Sequence, residues 1–132
     1  MPLLVPDVGE VALLDMALSD TTPEAQTLSL YTSNTTPAEG DTHATYTIAA
    51  GDGSDPKSLV RATWNAASTT SGTTSKTYPA QTFSFTGSFT IYGYLVRKAT
   101  AGTLLWAEKV YASGQAFSSG DSLAITPRIE LA

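Results

Sequence analysis

The sequence predicts an all-β single domain with one short helix at its N-terminal end. Three observations lead there. From residue 27 onward, polar and apolar residues alternate in short runs, as they do along half-buried strands. Gly, Pro and Asp clusters cut these runs at the spacing of a sandwich or barrel. Only the first segment, residues 7–18, carries a helical period.

Composition sets the bounds. The chain has 132 residues, enough for one core with little room for a second folded unit. Ser and Thr together number 35, yet only 14% of residues are charged, so the chain is polar without being ionic. Its 42% hydrophobic residues can build a core, which excludes charge-driven disorder. Seven cations spread over a chain of net charge -5 do not make a basic nucleic-acid face. With no Cys there is no disulfide framework, thiol nucleophile or thiolate metal site. No apolar run approaches the ~18 residues of a membrane span. The apolar stretch 11–14 is cut by Asp15 and follows no basic residue, so a secretion signal is not expected.

Each element follows in order. Asp7 and Glu10 have the three-residue spacing of a capping box, and Val11, Leu14 and Leu18 fall on one helical face. Residues 1–20 are therefore expected as an N-terminal helix or arm, and 21–132 as the β domain. A strand is expected at 27–31, a turn at 35–41, and a strand at 44–48 with Tyr46 and Ile48 on one face. The run 51–56 is the strongest breaker, and 58–65 forms the next strand, with Trp64 near its end. Residues 68–77 are almost wholly Ser, Thr and Gly. Such a run has no apolar side chain to bury and is expected as an exposed, mobile loop. Strands at 81–86 and 89–96 are expected to pair across Gly87-Ser88, and a turn at 99–102 leads to 104–111 in a meander. The last strand spans 122–131, and Pro127 places it at an edge or bulge. About seven or eight such strands suit a jelly-roll-like β-sandwich first, an Ig-like sandwich or open barrel second.

Few residues signal chemistry. His43 is the one strong candidate base, between a turn and a strand, with no local triad around it. Glu108 and Glu130 lie in predicted strands and are the best candidates for a paired-carboxylate site, although surface carboxylates are the plainer reading. Asp52, Ser54 and Asp55 could offer oxygens to calcium, but the spacing fits a turn better than a calcium loop. Gly51-Asp52-Gly53 lacks the third Gly of a dinucleotide fingerprint. Asn34-Thr35-Thr36 matches a glycosylation acceptor, which means little without secretion. No catalytic residue, metal or cofactor is assigned. Tyr92 and Tyr94 share one face of a predicted strand, which is a candidate platform for a sugar or a protein. Trp64 and Trp106 either join such a platform or fill the core.

Several blocks resemble small structural proteins of tailed bacteriophages. They are the opening Met1-Pro2-Leu3-Leu4-Val5-Pro6-Asp7-Val8-Gly9-Glu10, Leu28-Ser29-Leu30-Tyr31 with Thr36-Pro37-Ala38-Glu39-Gly40-Asp41, Tyr78-Pro79-Ala80-Gln81-Thr82-Phe83 before Ile91-Tyr92-Gly93-Tyr94, and Gly120-Asp121-Ser122-Leu123-Ala124-Ile125-Thr126-Pro127. Together they span nearly the whole chain. The resemblance implies a non-enzymatic virion component, most suitably a capsid decoration (cement) protein. Such a protein would be made in the host cytoplasm and sit on the capsid exterior. It would form a homotrimer and bind the major capsid protein, with no nucleic acid, membrane or cofactor involved. Val5, Val8, Val11 and Leu14 would then anchor an N-terminal arm, with Tyr92 and Tyr94 as further contacts. The alternative is a tail or fibre module that binds a carbohydrate receptor through Tyr92, Tyr94 and Trp106.

Overall fold

The structure, a computed structural model, describes residues 3–18, 25–100 and 102–131. Leu3–Leu4 form strand β1, and Asp7–Leu18 form helix α1. Asp7 and Glu10 place negative charge in the first turn, where the helix dipole favours it. Asp7 is the first helical residue rather than a cap, and its N–H donates to the Glu39 carbonyl at 3.0 Å. The Pro6 carbonyl closes the first turn, accepting from the N–H groups of Gly9 and Glu10 at 2.7 and 2.9 Å.

The helix meets the sheet through small residues. Gly9 lies against strand β9 (Leu104–Lys109), where an added Cβ would fall 2.0 Å from the Leu105 carbonyl oxygen. Ala12 and Met16, one and two turns further on, are buried beside it. That close approach fixes the rotation of the helix. Val11 and Leu14 do share a face, and the face points away from the sheet. The Leu18 side chain lies outside the described residues.

Five antiparallel strands make the main sheet in the order β1-β9-β8-β2-β3, with β2 at Gln26–Tyr31, β3 at Lys57–Leu59 and β8 at Gly93–Lys98. Its centre is buried on both faces. Leu28, Leu30, Tyr94, Val96 and Trp106 enter the principal core. Tyr31, Leu95 and Ala107 enter a second, smaller cluster with Tyr46. Gly93 is required at the crossing, because a Cβ there would lie 2.0 Å from the Glu108 carbonyl oxygen and 2.7 Å from the Tyr31 hydroxyl.

Three smaller sheets complete the described fold. β4 (Ser68–Thr70), β5 (Thr73–Thr77) and β12 (Arg128–Leu131) run in the order β12-β5-β4. β6 (Gln81–Ser84) pairs with β11 (Ser122–Ile125), and β7 (Phe89–Ile91) with β10 (Gln115–Phe117). Phe83, Ile91, Leu123 and Ile125 pack from these pairs into the principal core. The all-β class with a short N-terminal helix is what the chain adopts.

Several local expectations are corrected. Residues 68–77 form a hairpin rather than a mobile loop. Ser71 and Gly72 turn with φ of 51° and 83°, the positive pair that a two-residue type I′ connection needs. β6 and β7 do not pair, because Gly87-Ser88 lies in a longer excursion. There the Phe85 N–H donates to Asp121 O and the Thr86 N–H to Asp52 O, each at 2.9 Å. Residues 44–48 hold a 3-10 turn, His43–Thr45, and a single bridge from Ile48 to Tyr31 instead of a strand. β3 stops at Leu59, and a 3-10 turn at Arg61–Thr63 precedes Trp64. The run 89–96 breaks at Tyr92, whose N–H leaves the ladder for Tyr31 O at 3.0 Å. Pro127 splits β11 from β12 as its ring requires, and β12 is an edge strand. The β8–β9 turn lies where expected, with residue 101 outside the described residues.

Candidate functional site

Residues 3–18 are not a free arm. β1 is laddered to β9 through Leu3↔Glu108 and Leu4↔Ala107, and α1 is seated on β9. Residues 19 and 20 lie outside the described residues. Of the four proposed anchors, Val8, Val11 and Leu14 are 41%, 62% and 62% exposed, while Val5 is half-buried against the core edge. The close inner face of the helix leaves Val8, Val11 and Leu14 facing outward, while Leu13 packs at the core edge. Beside them runs a groove of about 640 Å³ between β1, α1 and β12. Leu3, Val5, Leu14 and Ile129 supply its apolar wall, and Glu10 and Glu130 its acidic one. Contiguous exposed apolar surface of this kind marks an interaction site more often than scattered single residues do. Leu3 and Ile129 escape a sequence reading, because the pattern alone does not bring the two chain ends together.

Tyr92 and Tyr94 do not form a platform. Tyr94 is 1% exposed in the principal core, while Tyr92 packs against the second cluster. The Tyr94 hydroxyl donates to Glu108 Oε2 at 2.7 Å and accepts from the Arg128 N–H at 3.2 Å. Burial first, then that bond to Glu108, pushes the tyrosine pKa far above its ordinary value. Arg128 Nη2 donates to Glu108 Oε1 and Nη1 to Glu130 Oε1, both at 2.9 Å. The hydrogen bond to Glu108 raises the guanidinium pKa further. The two candidate carboxylates thus meet around one guanidinium that satisfies both. This arrangement ties β12 to the main sheet and leaves no paired acid and base of the glycosidase kind around Arg128.

His43 sits exposed in its 3-10 turn. In the 51–56 loop the polar groups turn inward. Asp55 Oδ1 accepts from the Gly51 N–H and Ser54 Oγ donates to Gly51 O, both at 2.7 Å. Among the described residues, no group of three or more His, Cys, Asp or Glu converges to hold a metal ion. Asn34 Oδ1 accepts from Lys109 Nζ at 2.6 Å. No described helix is long and apolar enough to cross a membrane. Compared with models of known families, with curated proteins and with solved structures, the chain shows no match.

Proposed function

We propose that the protein is a non-enzymatic structural component of a tailed-phage virion, a decoration protein that stabilises contacts between major capsid protein subunits. One observation carries the docking surface: Val8, Val11 and Leu14 stand exposed on a helix whose opposite side is locked to the sheet through Gly9, Ala12 and Met16. A rigid apolar stripe of this kind needs little ordering on binding, so most of its burial contributes to affinity. Asp7 and Glu10 flank the stripe and favour a partner surface that is apolar with cations at its edge. The virion assignment itself is supported by the sequence blocks that resemble tailed-phage structural proteins. Many copies, each bound modestly, would hold a pressurised shell through multivalency.

Quantitative mass spectrometry of purified virions tests the role. Near parity with the major capsid protein is expected. A few copies per particle would move the protein to the tail or portal, and absence would overturn the reading. Val11→Asp with Leu14→Asp tests the surface. Both side chains point outward, so the variant should fold normally and bind undecorated shells at least about tenfold more weakly. Unchanged binding would remove the helix from the interface.

A further inference from the structure

Leu13 and Ile129 line both the groove above and a smaller cleft of about 280 Å³. Both tryptophans of the chain line this cleft. They meet edge to face, with ring centroids 5.7 Å apart and planes at 62°. Trp64 is held in place: its Nε1 donates to Gln26 Oε1 at 2.9 Å, and its ring packs on Tyr78 at 5.2 Å. Trp106 differs. It is 2% exposed, and its Nε1 finds no acceptor among the described residues. A buried donor without a partner is uncommon; Ser29 Oγ shares that state, and both atoms are shielded from solvent.

Two cations line the same cleft. Arg61 and Lys76 are exposed, and neither side chain makes an ion pair or hydrogen bond with a described residue. Three other cations are engaged: Arg128 holds Glu108 and Glu130, Lys109 reaches Asn34, and Lys57 lies over the Phe83 ring. No carboxylate is among the described residues that line the cleft. In a chain of net charge -5, two unengaged cations therefore converge beside a pair of indoles.

We propose that this cleft binds a single sugar ring bearing a carboxylate. The indole of Trp64 and the apolar walls of Leu13, Met16 and Ile129 suit the C–H face of a pyranose ring. Arg61 takes the carboxylate through its planar fork, with Lys76 as a second charge. A ring hydroxyl serves the Gln26 side-chain amide, whose Oε1 already accepts from Trp64 Nε1. The volume admits one ring and not an oligosaccharide. The site is independent of the helix stripe and of where on a particle the protein sits.

Because both tryptophans line the cleft, fluorescence excited selectively at tryptophan reports on it. The test titrates the full chain with glucuronate and galacturonate, with glucose as the neutral match and acetate as the bare anion. A saturable change with millimolar affinity is expected for one or both acidic sugars. Glucose and acetate should bind at least about tenfold more weakly, and added salt should weaken the acidic sugars. Arg61→Ala with Lys76→Ala removes only exposed side chains, so an unchanged melting temperature should accompany at least about a tenfold loss of affinity. The two indole N–H resonances give a second readout, in which the Trp64 signal should move. The proposal is overturned by the absence of any response to either acidic sugar, by an equal response to acetate or glucose, or by unchanged affinity in the double variant.

Discussion

In strand β9 every residue from Leu104 to Lys109 is buried, whereas in strand β4 Ser68, Thr69 and Thr70 are all exposed. Both strands sit in antiparallel ladders, β4 paired at every residue and β9 with one irregularity at Leu105. The backbone hydrogen bonds of the two ladders are alike, and each contributes only about 1 kcal/mol net, because water offers the same bonds. β9 adds burial on both faces, at roughly 25 cal/mol per Å² of apolar surface. β4 adds a hydroxyl contact, Thr69 to Thr74 at 2.9 Å, and a turn of the right hand. The pair shows that laddering decides which shape a segment takes, and burial decides how much the segment matters to stability.

The contrast can be broken or sharpened by experiment. Gly93→Ala should have the largest effect. Its Cβ meets a backbone carbonyl and the Tyr31 ring, neither of which can yield. A loss of at least about 3 kcal/mol in urea denaturation is expected; a loss below about 1 kcal/mol would show that the sheet centre adapts.

Alkaline pH comes next. Tyr31, Tyr46 and Tyr94 all have pKa values raised well above 10.0, burial being the first cause in each case. The unfolded chain releases these protons near pH 10 and the native chain keeps them. The stability they contribute is therefore complete below that pH and falls as pH rises above it. Between pH 10 and about pH 11 each tyrosine should withdraw about 1 kcal/mol. Melting temperatures across this range check it, and a flat profile would contradict the burial of the three hydroxyls.

Glu108→Ala should cost about 2 kcal/mol, because Tyr94 Oη loses its short acceptor in the core and keeps only the Arg128 carbonyl at 3.5 Å. Arg128, whose side chain is 40% exposed, recovers water and limits the damage. Adding Tyr94→Phe should cost less than the sum of the single changes, which a double-mutant cycle measures. Thr69→Ala should be the smallest, within about 0.5 kcal/mol, since both hydroxyls of that contact are exposed. A larger loss would mean that the polar hairpin is held by more than its ladder.

The same contrast explains what could be read in advance. β2, the β8–β9 hairpin and the break at Pro127 announce themselves, because apolar alternation and turn residues coincide there. The β4–β5 hairpin does not, since Thr69, Thr70, Thr73 and Thr74 offer β-branched side chains but no apolar period. The Ser71-Gly72 turn was the usable signal. The strand expected at 44–48 failed for the opposite reason: Tyr46 is buried by tertiary contact, its hydroxyl donating to Asp41 Oδ2 at 2.8 Å, without being in a ladder. At the site, the exposure of Val11 and Leu14 follows from Gly9, whose role emerges only once the Leu105 carbonyl is in place. The cleft was harder still. Trp64 and Trp106 stand out by type, whereas Arg61 and Lys76 join them only through pairings that cross the chain.

The pairing of β1 with β9 has a consequence for how the chain is made. About 100 residues separate Leu3 from its partner Glu108, and β2 likewise waits for β8. At roughly 5–20 residues per second of synthesis, the first strand and helix spend about 5–20 s outside the ribosome before their docking surface exists. Leu28, Leu30, Ala12 and Met16 are uncovered throughout that interval. The centre of the main sheet therefore cannot close until β9 emerges, and contacts so distant in sequence make that closure slow.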